Sequence, residues 1–225
     1  MYKYLILDFG NVLAYPETGK WDITKKFTEV IDMNLFDYNK FKAIRKKYKD
    51  ILSEKIDTLE KEYNMFFRFY DSILSEMNLE IYNKKIAEEI AYDRTYNNDK
   101  YILFDNVINE LKNLKEKYTL ILLTDNWPCA IPYLKEKNIY DYFDKIYISS
   151  FYGVEKKDGL FFEYPIRDFN IKKGEALFID DNEENLDIAS SYGIDSMLMD
   201  RFNEIDDSNY PIINDLFLDF KKIKW

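Results

Sequence analysis

The feature that most constrains this chain is a short apolar run that stops at an acidic residue close to the N-terminus. Residues 2–7 read Tyr-Lys-Tyr-Leu-Ile-Leu and are followed by Asp8, Phe9 and Gly10. An apolar run of this length, ended by Asp and Gly, predicts a buried parallel strand that delivers a carboxylate to its C-terminal end. Open parallel sheets bind their ligands at that edge. Single strands of this kind are common, so the meaning of Asp8 depends on how the other strands end.

Two later apolar runs also end in polar side chains. The run at residues 120–123 is followed by Thr124, and the run at 175–179 is followed by the pair Asp180 and Asp181. The carboxyl ends of parallel strands meet at one edge of a sheet, so these side chains are expected near Asp8.

The order of these residues matches a known pattern. Between the second and third runs, Lys156 and Lys157 follow a loop that contains Gly153. An Asp, a Thr, a Lys and an Asp pair in this order resemble the haloacid dehalogenase superfamily. Asp-Phe-Gly-Asn-Val at residues 8–12 is similar to the first motif of a phosphatase branch that includes glucose-1-phosphate phosphatases. The resemblance covers about two thirds of the chain, and four ordered motifs are far more specific than one.

The distribution of strand and helix patterns predicts an α/β fold. Residues 16–96 contain apolar residues at helical spacing and no plausible strand, which predicts three to five helices packed as a bundle. From residue 97 onward strands and helices alternate, which predicts a Rossmann-like parallel sheet with helices on both faces. The later elements are expected as strands at 145–148 and 196–199 and as helices at 160–169, 183–192 and 212–220. Residues 1–15 and 97–225 would form the core domain. Residues 16–96 would form an inserted helical domain, which the resemblance implies is a cap over the active site.

The resemblance assigns phosphoryl-transfer roles to several residues. Asp8 would be the nucleophile and would form an aspartyl-phosphate, which splits one difficult displacement into two easier ones. Lys156 would stabilise charge on the phosphoryl group. The motif usually continues with Pro where this chain has Lys157, so either lysine could enter the site, and Lys156 is favoured. The Thr124 hydroxyl and the backbone N–H groups of Asp125 and Asn126 would bind phosphate oxygens just before a helix.

The acidic pair predicts a magnesium site. Mg²⁺ takes oxygen ligands and keeps several waters, so one or two carboxylates and a substrate phosphate suffice. By its position in the motif, Asp181 would be a direct ligand together with Asp8 and the carbonyl of Gly10. Asp180 would contribute to the metal site from behind these direct ligands, and Asn185 would support the loop. The same acidic pair could instead cap the helix at 183–192, and both roles are compatible.

Gly10 departs from the usual phosphatase pattern. Phosphatases of the superfamily usually have a second Asp there, which protonates the leaving group and then activates water. That assistance is typically worth about 10²–10⁴ in rate. Water or a cap residue would have to substitute for it, and Glu17 is close in sequence. The Gly10 carbonyl remains able to bind metal.

Three functions remain open on these residues. The preferred one is a Mg²⁺-dependent phosphomonoester hydrolase for a small phosphorylated metabolite, with a sugar phosphate as a candidate, because the nucleophile, metal carboxylates, Thr124 and Lys156 are all present. The alternative is a phospholigand- or partner-binding protein with little turnover, because Gly10 removes the general acid. A dehalogenase is less favoured, since its attack on carbon needs no metal and would leave Asp180 and Asp181 without a role.

Composition excludes several other classes. The chain has 42 acidic and 32 basic residues, a net charge of -10, so no basic surface for nucleic acid is expected. It has no histidine and one cysteine, Cys129, which excludes His-dependent triads and Cys- or His-ligated zinc sites. No apolar stretch approaches the roughly 20 residues of a membrane span, and no signal segment is recognisable, so a cytoplasmic protein is expected. No pattern in the sequence specifies an oligomeric state.

Overall fold

A central parallel sheet organises the structure, which is a computed structural model that describes residues 2–217 and residue 220. The strands in this part of the chain are β1 (Tyr4–Leu7), β2 (Ala14–Pro16), β3 (Tyr101–Leu103), β4 (Thr119–Thr124), β5 (Lys145–Ile148), β6 (Ala176–Asp180), β7 (Asp195–Met199) and β8 (Ile212–Ile213). Six of them form one parallel sheet in the order β5-β4-β1-β6-β7-β8. The first apolar run therefore lies at the centre of the sheet, between β4 and β6.

Helices cover both faces of this sheet. In chain order the α-helices of the described residues are α1 (Lys25–Val30), α2 (Tyr38–Arg45), α3 (Lys49–Leu52), α4 (Leu59–Met77), α5 (Lys84–Tyr96), α6 (Val107–Lys115), α7 (Ala130–Glu136), α8 (Ser149–Tyr152), α9 (Leu160–Phe169) and α10 (Glu183–Ser191). Leu5 and Leu7 pack with α6 and α7 on one face. Ile6 packs with α9 and α10 on the other face. The predicted α/β fold is confirmed, and β1 is continuously apolar because both of its faces are buried.

The inserted region has a hydrophobic core of its own. Helices α1–α5 bury a cluster that includes Phe27, Phe41, Phe69 and Ile90. The region from 21 to 96 contains five α-helices and no strand, as its periodicity predicted. The division of the chain into residues 16–96 and the remainder stays a prediction. In the described residues, no helix combines the length and the apolar character that crossing a membrane requires.

Helix α4 has the boundaries that local sequence chemistry favours. Its N-cap residue is Thr58, whose side chain accepts a hydrogen bond from the Lys61 N–H. Its C-cap residue is Asn78, which adopts a left-handed conformation with φ of 55°. A Thr cap satisfies an N–H group that the first turn leaves unpaired, and Asn tolerates the left-handed C-terminal position better than most residues.

A two-stranded antiparallel ribbon joins the insertion to the core. Strand β2 leads out to the insertion and β3 leads back, and Tyr15 lies opposite Ile102. The sequence analysis expected no strand at residues 14–16 or 101–103, so this ribbon was missed. Each strand is only three residues long, too short for an alternating pattern.

The predicted helix at residues 212–220 is wrong over its described part. Ile212 and Ile213 form β8, and Leu198 donates its N–H to the Pro211 carbonyl. Asp200 donates its N–H to the Ile213 carbonyl, so the segment extends the sheet. Residues 214–217 are not helical either, while 218 and 219 lie outside the described residues. Two β-branched residues after a proline fit a strand better than a helix.

Candidate active site

The ends of the two central strands bring the predicted carboxylates together. Leu7 lies opposite Ile179 in the sheet, and Asp8 donates its N–H to the Ile179 carbonyl. This register places Asp8 beside the end of β6, where Asp180 and Asp181 follow. One carboxylate oxygen from each of the three residues lies within 4.8 Å of the others. Among the described residues, this is the sole acidic or Cys-containing cluster able to hold a metal ion.

Lys156 lies between two of these carboxylates. Its Nζ is 2.7 Å from Asp8 Oδ1 and 2.6 Å from Asp180 Oδ2, and the residue is only 2% exposed. Lys157 is exposed and pairs instead with Glu155. Of the two candidate lysines, Lys156 therefore contacts the acidic cluster.

The loop before α9 explains why Lys156 points inward. Residues Lys156–Asp158 form a 3₁₀ turn, at whose start Glu155 donates its N–H to Asp158 Oδ2. The Lys156 N–H donates to Asp125 Oδ1 at 3.0 Å. Asp125 was expected to contribute its backbone, but its side chain also fastens the lysine loop to the end of β4.

Burial and charge shift the titration of the cluster. Burial raises the pKa of Asp8, and the neighbouring Asp180 and Asp181 raise it further, while Lys156 opposes both effects. Burial alone would lower the pKa of Lys156, but Asp180 and Asp8 raise it overall, so the ammonium stays charged. One ammonium does not balance three carboxylates, which leaves the cluster with an excess of negative charge.

The two adjacent aspartates occupy different positions. Asp180 is fully buried and accepts hydrogen bonds from Lys156 Nζ, Asn185 Nδ2 and the Asn182 N–H. Asp181 is partly exposed and lines the cavity above the cluster. Asp181 therefore faces the cavity and Asp180 lies behind it, while their roles at a metal ion stay predictions.

Asn11 also belongs to the site, although the sequence analysis gave it no role. Its Nδ2 donates to Asp181 Oδ2 at 2.7 Å. Its backbone adopts φ of 51°, a left-handed conformation that Asn tolerates. The signal in the sequence was an Asn directly after Gly10, in the loop that follows β1.

The donor atoms of the cluster suit a hard divalent cation. All are carboxylate or carbonyl oxygens, the ligands that Mg²⁺ prefers, and no thiolate or imidazole is present among them. The uncompensated negative charge of the cluster favours a cation. The residues that the sequence predicted therefore fit this ion.

The end of β4 completes the same edge. Thr124 is buried and lines the cavity with Asp8 and Lys156. The Asn126 N–H donates to Ser149 Oγ at 3.2 Å, and Asn126 Oδ1 accepts the Trp127 N–H. The predicted phosphate contact through the Asn126 N–H would therefore have to replace the Ser149 contact, whereas Thr124 lies directly on the cavity wall.

A cavity of about 310 Å³ lies between the sheet edge and the insertion. Its wall on the insertion side is formed by Trp21, Asp22, Arg45 and Arg94. The sequence analysis missed these four residues because they belong to no motif and come from separate segments. Arg94 did carry a signal: it follows Ile90 by four residues, so a charge continues the buried stripe of α5.

The space beside Gly10 is filled by an aromatic ring. A Cβ at this position would lie 3.1 Å from Cζ2 of Trp21, which is closer than an ordinary contact. Glu17 is the residue that the sequence analysis considered as a substitute for the missing acid. Its Oε1 lies 3.9 Å from Lys25 Nζ, and the residue does not line the cavity. In this chain an indole ring therefore lies next to the position that usually carries the general acid.

The family model of haloacid dehalogenase-like hydrolases matches residues 2–193. Because the match spans most of the sequence and the strand-end residues converge as described, the chain belongs to the haloacid dehalogenase-like hydrolase family.

Two relatives are phosphatases. The chain is 23% identical over 210 residues to D-ribitol-5-phosphate phosphatase of Bacteroides thetaiotaomicron, which covers 87% of this chain and 91% of that protein. It is 30% identical over 129 residues to glyceraldehyde 3-phosphate phosphatase of Pyrococcus furiosus, which covers 55% of this chain and 52% of that protein.

Solved structures share the fold. A family enzyme of Bacteroides thetaiotaomicron in complex with magnesium and inorganic phosphate is 21% identical, with a TM-score of 0.62 over 92% of this chain and 98% of that chain. The putative hydrolase YfnB of Bacillus subtilis, bound to magnesium, is 17% identical, with a TM-score of 0.65 over 96% of this chain and 95% of that chain. A 2-haloacid dehalogenase of Pseudomonas syringae has a TM-score of 0.66 at 16% identity, covering 96% of this chain and 95% of that chain, so the fold alone does not separate the two chemistries.

Proposed function

We propose that this protein is a Mg²⁺-dependent phosphomonoester hydrolase that acts on a small phosphorylated metabolite. The observation that carries the proposal is the convergence of Asp8, Asp180 and Asp181 within 4.8 Å, with Lys156 bridging two of them. The ribitol-5-phosphate and glyceraldehyde 3-phosphate phosphatases support a sugar or polyol phosphate as the substrate class.

Asp8 is the proposed nucleophile. Its carboxylate attacks phosphorus, the bond to the leaving alcohol breaks, and an aspartyl-phosphate forms. Water then attacks the same phosphorus, releases inorganic phosphate and restores the Asp8 carboxylate. Lys156 stabilises the negative charge that builds up on the transferred group, and the Thr124 hydroxyl donates to one of its oxygens. Asp125 and Asn126 complete this phosphate-binding loop.

Mg²⁺ would be held by Asp8, Asp181 and the Gly10 carbonyl, with Asp180 and Asn185 behind them. The bound ion would polarise the phosphoryl oxygens and offset the negative charges that nucleophile and substrate bring together. The excess of carboxylates over ammonium groups in the cluster supports this assignment.

The absence of an acid at Gly10 determines which substrates react fastest. A leaving group that needs no proton, such as p-nitrophenolate, should depart readily, whereas an alkoxide should depart slowly unless water supplies the proton. Phosphate release should therefore depend steeply on the basicity of the leaving group. Equal rates on aryl and alkyl phosphates would show that another acid acts in the site.

Replacing the nucleophile tests the proposal directly. Asp8→Asn should lower kcat on p-nitrophenyl phosphate by roughly 10³-fold or more. Residues that catalyse a reaction together lose most of their combined effect when one of them is removed. Removal of Mg²⁺ with a chelator should abolish phosphate release. Asp141→Asn changes an exposed carboxylate outside the cavity and serves as the control. Undiminished turnover in Asp8→Asn would refute the proposal.

A second candidate function is a phospholigand-binding protein with little turnover. It is favoured by the absence of an acid at Gly10 and by the Trp21 ring that lies beside this position. Calorimetry with Mg²⁺ and phosphate, run beside the assay, separates the two functions. Binding without hydrolysis of any ester, p-nitrophenyl phosphate included, would establish the second one.

A further inference from the structure

One buried cation of the cavity wall has no counter-charge. Arg94 lies on α5 and is only 5% exposed, yet it lines the cavity. Its Nη1 donates to the Tyr101 hydroxyl at 2.8 Å. Within the described part of the chain, no carboxylate lies within 4.0 Å of its guanidinium.

The other cations of the same cavity differ in this respect. Arg45 lies 3.0 Å from an oxygen of Asp22, and Lys156 contacts Asp8 and Asp180. Both charges are therefore compensated by residues of the protein itself. Arg94 is the remaining cation in the described wall, and it alone lacks an acidic partner.

Neighbouring groups compensate this charge only in part. Glu62 is the acidic side chain buried in the same region and interacts electrostatically with Arg94, but it forms no ion pair with it, and its Oε2 accepts the Cys129 N–H. Lys100 is buried there too, and its Nζ has no hydrogen-bond partner. This part of the interior thus holds two cations and one carboxylate, which leaves an excess of positive charge in a chain whose net charge is -10.

Aromatic rings position the guanidinium without neutralising it. Arg94 Cζ lies 5.1 Å from the centre of the Phe66 ring, 5.6 Å from that of Tyr101 and 5.8 Å from that of Trp127. Such contacts offset only a small part of the cost of burying an unpaired charge. An anionic ligand in the cavity would supply the counter-charge that the rings do not.

We propose that Arg94 is a specificity-determining residue that binds a second anionic group, carboxylate or phosphate, on the leaving-group side of the substrate. The favoured substrates would then be phosphorylated hydroxy acids or bisphosphates rather than phosphates of neutral polyols. The inference rests on the proposed hydrolase function, and it favours anionic phosphate esters at that site over the neutral sugar and polyol phosphates that the relatives suggest.

Two matched substrate pairs test it. Racemic 3-phosphoglycerate and racemic glycerol phosphate differ in that a carboxylate replaces a hydroxymethyl group. The bisphosphate and monophosphate of propane-1,3-diol differ in a second phosphate. Wild-type kcat/KM should favour the member with the second anionic group in at least one pair by about 10- to 100-fold, the range for a hydrogen bond to a charged group. The pair that shows the preference identifies the anion, and equal values within both pairs would overturn the inference.

Variants test whether Arg94 causes the preference for a second anionic group. Arg94→Met should bring both ratios close to one, chiefly through KM, whereas Arg94→Lys should retain part of the preference. Arg68→Met removes an exposed arginine that pairs with Glu54 on the same insertion, and it should leave the ratios unchanged. A uniform loss on all four substrates in Arg94→Met would mean a structural or phosphate-binding role and would contradict the inference.

The inference about Arg94 and the hydrolase proposal can fail independently of each other. Phosphate release without a preference for substrates that carry a second anionic group refutes only the inference about Arg94. If no ester is hydrolysed, calorimetric affinities of the same four compounds in the presence of Mg²⁺ give the same ratios without turnover. If Arg94→Met does not fold, the wild-type ratios and the Arg94→Lys variant decide.

Discussion

At the scale of single residues, the site depends on a buried ammonium between two carboxylates. Lys156 contacts Asp8 and Asp180 at distances typical of charge-assisted hydrogen bonds. Removing one partner of such a buried group leaves the others uncompensated, which costs more than the loss of a surface ion pair. Lys157, one residue later, is exposed and offers a natural comparison.

Lys156→Met should therefore lower kcat on p-nitrophenyl phosphate by about 10²–10³-fold, the range for loss of a preorganised electrostatic group. Lys157→Met should retain activity within about twofold, since changes of exposed side chains away from the site usually have small effects. Steady-state kinetics checks both values, and thermal unfolding checks that each variant is folded. A large loss in Lys157→Met with little change in Lys156→Met would reverse the assignment of the two lysines.

Residues at strand ends could be predicted from the sequence because their position follows from a local pattern. Asp8, Thr124 and Asp180 each come directly after an apolar run, and parallel strands bring such ends together. Arg94 and Trp21 could not be placed in this way. Their approach to the cavity depends on how the insertion packs on the core, which no local periodicity encodes.

At the scale of secondary structure elements, one buried carboxylate joins the insertion to the core. Glu62 lies on α4 and accepts the N–H of Cys129 at the start of α7, at 2.7 Å. Burial raises the pKa of Glu62 to about 7, although the Cys129 hydrogen bond, Lys100 and Arg94 act in the opposite direction. The folded state therefore holds a proton on Glu62 at pH values where the unfolded chain has released it.

The burial of Glu62 should make stability depend on pH. Since the folded pKa lies above the unfolded one, the contribution of Glu62 is fully present below about pH 4.5 and is lost as the pH rises toward 7. The loss is on the order of 3 kcal/mol at 1.36 kcal/mol per pKa unit. Glu62→Gln keeps an acceptor for the Cys129 N–H and removes the titration. Its free energy of unfolding, relative to wild type, should therefore increase between pH 5 and pH 8.

Denaturant unfolding of both proteins at several pH values measures this difference. Parallel pH profiles for wild type and Glu62→Gln would show that Glu62 titrates in the folded state as it does in the unfolded chain. The comparison isolates one group, because every other titrating residue is common to both proteins.

The shortest elements were the ones that the sequence failed to predict. Strands β2, β3 and β8 contain two or three residues each, and their formation depends on partners distant in sequence. Tyr15 and Pro16 have turn-forming neighbours, and Ile212 and Ile213 have an apolar pattern that fits either a helix or a strand. Longer elements such as α4 and β4 were predictable because their periodicity extends over several residues.

At the scale of the whole molecule, the sheet edge and the insertion form opposite walls of one cavity. The core contributes Asp8, Thr124, Lys156 and Asp181, while the insertion contributes Arg45 and Arg94, among others, to the same cavity. The fold class and the convergence of the motif residues were predictable from the alternation of strands and helices. The cavity wall on the insertion side was not, because its residues are brought together by tertiary packing.

The stereochemical course at phosphorus tests the central claim most directly. The protein is incubated with a phosphate ester whose phosphorus is chiral through oxygen isotopes and with an alcohol that accepts the phosphoryl group. The configuration at phosphorus in the phosphorylated alcohol is then determined. Transfer through Asp8 consists of two in-line displacements, each of which inverts phosphorus, so the account predicts net retention. Net inversion would mean a single displacement without a phosphorylated Asp8, and it would contradict the account.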